Sequence, residues 1–160
     1  MAETDSPDAL LTVAVQDLRA AADLLAERLG AIGRQVTDPA LCHALGELIV
    51  QARHASAALV ATGRGAGGPE NIWMKGALDD AARDTENVLG GPLLDQALAG
   101  AVRKGLAASV TAYETAIALA RAQRQDDLAG ELDQLRARDA AAQGELGGLI
   151  EQLAGVGGLS

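Results

Sequence analysis

The sequence predicts an all-α protein: an antiparallel four-helix bundle, with a short extra helix in the long crossover between helices two and three, forming one domain over residues 1–160. Three observations predict it. Hydrophobic residues make up 49% of the chain, yet Phe is absent and Trp and Tyr occur once each, so the apolar content is mostly Ala and Leu, which suits close helix packing better than a sheet. Apolar residues recur at alternating steps of three and four through four long segments. The four Pro residues all fall between those segments or at their first turns. A chain of this length can bury a sufficient core without metals or disulfides.

Helix one, about residues 7–34, opens on Ser6-Pro7-Asp8: a side-chain cap, a first-turn Pro whose missing donor costs nothing, and an acid facing the helix dipole. Its seam is Leu11, Val15, Leu18, Ala22, Leu25, Leu29 and Ile32. Asp38-Pro39 opens helix two, about 39–62, whose seam is Leu41, Leu45, Leu48, Ala52, Ala55 and Leu59. The short link makes the two helices antiparallel neighbours.

Gly63 to Pro69 reads GRGAGGP and is expected to be a flexible loop. A short helix follows over about 72–89, with Met74, Leu78, Ala81, Thr85 and Val88 on one face. Gly90-Gly91-Pro92 breaks it and starts the longest apolar segment, about 92–124. The stripe Leu98, Val102, Leu106, Ser109, Tyr113 and its neighbour through Ala101, Gly105 and Ala108 predict a helix buried around much of its circumference.

The last helix, about 127–153, begins at Asp126-Asp127, and its seam of Leu128, Leu132, Leu135, Asp139, Ala142, Leu146, Leu149 and Leu153 contains one acid. The Gly-rich tail from Gly155 to Ser160 is expected to be loose. Two antiparallel pairs joined by one long crossover form the ferritin-like topology.

Charge excludes several partners. A net charge of −9 with a pI near 4.6 repels nucleic-acid backbones and anionic membrane surfaces. No apolar run approaches the ~18 residues of a membrane span, and the amino terminus MAETDSPD is acidic where a secretory signal is basic and then apolar. The expected location is cytoplasmic. The single Cys42 forms no internal disulfide, which agrees with a reducing compartment. The glycine-rich stretch lacks the Lys and the preceding strand of a phosphate-binding loop.

Asp17-Leu18, Thr37-Asp38-Pro39-Ala40-Leu41, Met74-Lys75-Gly76-Ala77-Leu78 and Ala112-Tyr113 resemble the YciE/YciF-type ferritin-like bacterial stress proteins over roughly residues 8–154. The resemblance implies inward acids from four helices that hold two iron ions. Placed on that pattern, this chain has Ala14 and Ala22 in helix one, Gln51 and Ala55 in helix two with His54 beside them, Leu106 and Ser109 in helix three, and Asp139 and Gln143 in helix four. One carboxylate with amides and an imidazole does not neutralise two divalent ions.

Asp139 therefore reads as a vestigial ligand or proton-handling group, as a seam acid hydrogen-bonded to Gln51, His54, Ser109 or Tyr113, or as an acid rotated toward solvent. His54 is a candidate ligand that lacks the Glu-x-x-His frame. His43 shares a face with Glu47, and Cys42 beside it points about 100° away, too far for a nucleophile and its base. The expectation is a non-enzymatic structural or interaction protein, stress-related through the resemblance, with no cofactor, no catalytic residue and no metal site. It is expected to be a homodimer that buries the crossover's apolar face together with Ala20, Ala21, Leu24, Ala57 and Ala58 of helices one and two. The alternative is a weak metal-binding oxidase with ligands outside this alignment, and metal content separates the two.

Overall fold

The computed structural model describes residues 3–157 and contains, in order, α1 (Pro7–Gly33), α2 (Pro39–Ala61), α3 (Ile72–Asn87), α4 (Pro92–Ala122) and α5 (Asp126–Gly157). Each start has a local cause. The Ser6 hydroxyl accepts from the Ala9 amide at 3.1 Å, the Asp38 carboxylate from Leu41 at 2.8 Å, and the Asn71 side-chain oxygen from Met74 at 2.7 Å. Each satisfies an amide that the helix itself leaves without a partner. α4 starts instead at Gly91, whose φ of 105° is open to a residue without a Cβ. Arg124 takes the left-handed conformation, φ 59°, to turn α4 into α5.

α1 packs along α2 and α4 along α5; α1–α4 and α2–α5 contacts close the bundle, and α3 lies across α1 and α4. The core forms two clusters. One gathers Leu25, Leu29, Leu45, Leu98 and Leu106 under α3, and the other gathers Leu11, Val15, Leu59, Tyr113 and Leu132. Leucines buried this completely contribute about 1.5–3 kcal/mol each.

Two carboxylates tie the connections to the bundle. Asp95, 1% exposed, accepts from the Thr37 amide (2.9 Å), the Thr37 hydroxyl (2.7 Å) and the Asp38 amide (2.9 Å), which fixes the α1–α2 turn against α4. Asp17 on α1 accepts from the Asn71 side-chain nitrogen (2.8 Å) and the Trp73 indole (2.9 Å), and Asn71 also donates to the Asp17 carbonyl. The crossover is thereby docked on α1.

Four expectations change. The Gly63–Pro69 loop is held by α1: Arg19 donates to the carbonyls of Gly65 (2.7 Å) and Gly67 (3.0 Å), and Gln16 donates to Ala66 (2.9 Å). A Cβ on Gly65 would lie 2.6 Å from the Leu59 carbonyl oxygen, so this glycine serves close approach. Met74, Leu78 and Ala81 are each 0% exposed within the same chain, with Met74 seated where Gly105 has no side chain. The crossover's face thus needs no second subunit to cover it. The boundaries also move: α3 ends before an extended Val88, and α4 stops at Ala122. α5 begins at Asp126 and continues through Gly155 to Gly157, while the rest of the expected loose tail lies outside the described residues.

Candidate functional site

The polar group at the bundle centre is built from three of the four long helices. Asp139 projects inward from α5 and is 8% exposed, placed there by the same three-four spacing that buries Leu132, Leu135 and Leu146. Ser109 on α4 donates its hydroxyl to one Asp139 oxygen at 2.5 Å, and Gln51 on α2 donates its amide nitrogen to the other at 2.8 Å. Both carboxyl oxygens are engaged by neutral donors.

Burial pushes the Asp139 carboxyl above its ordinary value, with the Ser109 and Gln51 hydrogen bonds opposing that shift. Burial also pushes the Tyr113 phenol well above its usual range, with the nearby Asp139 charge adding to it. Tyr113, 2% exposed, lines the same small cavity as Asp139, Ser109 and Gln51. Ala22, Ala52 and Ala55 close its apolar side. The cavity has about 10 Å³ for a water-sized centre, which is room for about one water molecule.

Of the residues singled out in the sequence, Asp139, Gln51, Ser109 and Tyr113 come together. Gln143 is half-buried one turn along α5 and outside that hydrogen-bonded group. His54 is exposed and lines a surface groove between α2 and α5 with Glu131 and Arg138. His43 and Cys42 are exposed on α2. Among the described residues, no three His, Cys, Asp or Glu side chains converge in a metal-holding cluster.

Sequence reasoning missed Asp95 and Asn71, both buried. A signal existed for Asp95: stepping the Leu98, Val102, Leu106 stripe back by three lands on it.

No protein-family model matches the sequence, and no curated protein matches it significantly. Solved structures do. YciF, described as a stress protein of E. coli, superposes with a TM-score of 0.89 at 16% identity, over 94% of this chain and 98% of that one. The chain has the YciF-type ferritin-like fold. YcfI from Rhodopseudomonas palustris, described as a candidate structural protein, superposes with a TM-score of 0.85 at 19% identity, over 91% of this chain and 95% of that one. On this YciF-type fold the Asp139 group lies between the two apolar clusters, beside Leu48 and Ala52 of one and Tyr113 and Ala55 of the other. Among the described residues no helix is long and apolar enough to cross a membrane.

Proposed function

We propose that this chain is a non-catalytic ferritin-like protein, a cytoplasmic structural or interaction module that acts in stress and has lost the di-iron site, assembled as a homodimer. The observation that carries the reading is the Asp139 group. Its one carboxyl already accepts from Ser109 and Gln51, and burial favours its neutral form. Two divalent ions need several charged oxygen ligands to offset their own desolvation. A serine hydroxyl, an amide, a neutral phenol and one carboxyl do not fit that requirement, and the surrounding cavity has room for about one water.

The neighbours' descriptions support the same direction, since YciF is named a stress protein and YcfI a candidate structural protein. The fold's stability also needs no metal in this reading, because Leu and Ala fill the interior up to the polar group. Oxidation of ferrous iron by oxygen, followed by absorbance at neutral pH, tests the proposal. The expected rate equals that of buffer alone; a faster rate that disappears in Asp139→Asn contradicts it.

A further inference from the structure

We infer that the cleft between the C-terminal halves of α1 and α3 binds a linear aliphatic polyamine, with one ammonium group on Glu27, another on Glu86 and the methylenes lying between them. This site is separate from the metal question, since no residue that lines the cleft belongs to the Asp139 group.

The cleft follows from the way the crossover docks. Asn71 and Trp73, where α3 begins, are held by Asp17 of α1, and further along α3 Asp79 meets Arg28 of α1 at 2.7 Å. The two helices therefore run in the same direction. Beside that ion pair the small side chains of Ala31 and Ala82 leave a space of about 380 Å³. Small-molecule clefts are of this size, roughly 300–1,000 Å³. Ile32 and Leu78, both buried, form its floor.

Charge selects the occupant. Glu27 and Glu86 line the cleft from its two walls, and neither makes an ion pair among the described residues. The neighbouring bases are engaged elsewhere. Arg28, which also lines the cleft, is neutralised by Asp79, and Arg83, one turn before Glu86, is held by Asp80 and Asp84. Arg53 lines a separate groove on the other side of Glu27 and does not pair with it. Two uncompensated carboxylates on a chain of net charge −9 attract cations and disfavour anions.

Spacing selects the shape. Because the helices run the same way, Glu27 lies toward the Leu78 end of the cleft and Glu86 toward the Gln35 end, eight residues further along each helix, or about 12 Å. A compact cation reaches one carboxylate only. A flexible chain with an ammonium group at each end reaches both, and its methylenes rest on the apolar side chains between them. An extended triamine such as spermidine has that reach.

Equilibrium dialysis of the whole chain against labelled spermidine, at low ionic strength because exposed ion pairs are screened by salt, tests the inference. Saturation at one spermidine per chain is expected, with hexylamine a weaker competitor and hexanediol, which has the apolar chain without the charge, weaker still. Glu27→Gln and Glu86→Gln should each weaken binding about threefold and together about tenfold. Ala82→Phe, which fills the cleft from an exposed position, should abolish it. Glu131→Gln removes the same charge from an exposed position on α5 and should leave the affinity unchanged; far-UV circular dichroism verifies that every variant folds. Absence of binding to the wild-type chain overturns the site. An affinity that Glu131→Gln lowers as much as Glu27→Gln also overturns it, because the amine is then held by the charge of the whole chain.

Discussion

The carboxylates that hold the connections and the one at the bundle's centre are all held by hydrogen bonds, but by different kinds of donor. Asp95 accepts two backbone amides and a hydroxyl from the α1–α2 turn, and Asp17 accepts an indole and a side-chain amide from the crossover. These acids decide where the chain runs. Asp139 accepts only two side chains, from helices already fixed by their leucine seams, and burial works against its charge. The difference teaches that an inward acid can be structural in two senses: as a latch that the fold needs, or as a polar remainder that the fold tolerates.

That contrast orders the expected effects of mutation. Asp95→Ala should be the most damaging, because it takes the shared acceptor from two part-buried amides and a hydroxyl of the α1–α2 turn; a loss of about 3 kcal/mol in urea unfolding is expected, at about 1 kcal/mol for each hydrogen bond lost. A loss below about 1 kcal/mol would remove the distinction between latch and remainder. Asn71→Leu should cost about 2 kcal/mol through the lost α3 cap and the lost Asp17 bonds, and amide exchange should quicken across α3 relative to α4. Uniform exchange in both helices would argue against a local latch.

Asp139→Asn should be the mildest, with a sign that depends on pH. A carboxyl raised in the folded state binds its proton more tightly there than in the unfolded chain, so its stabilising contribution is complete below about 3.8 and is lost as pH rises through the raised value. The asparagine variant should therefore gain on the wild type as pH increases from 4 to 7. A gap that is flat in pH, measured by thermal melting of both proteins, would mean that the carboxyl is not penalised by burial.

Much of this architecture was legible in the sequence. The heptad spacing and the Pro and Asp starts located all five helices, because burial of a leucine seam and satisfaction of first-turn amides are local demands written into spacing. Asp139 and Ser109 were likewise placed inward by spacing, whereas Gln51, off the seam of α2, was singled out only by the family resemblance. The docking of the loops was not legible. Arg19 and Gln16 lie off the leucine seam of α1, and nothing in the spacing marks them before the glycine carbonyls arrive beside them; Asn71 carries no periodic signal before Asp17 meets it. The same tertiary cause hid the crossover's partner: Met74 packs into the notch at Gly105, a contact between positions 31 residues apart that no periodicity reports. Asp17, Thr37-Asp38 and Met74, among the residues on which the family resemblance rests, are docking residues of this kind.

The central claim is that the bundle's interior holds no metal pair, and the most direct measurement is elemental analysis of the protein expressed under iron supplementation and purified by gel filtration without chelator. The account predicts far less than one iron per chain, the same for wild type and Asp139→Asn. One or two iron ions per wild-type chain, lost in Asp139→Asn, would contradict it.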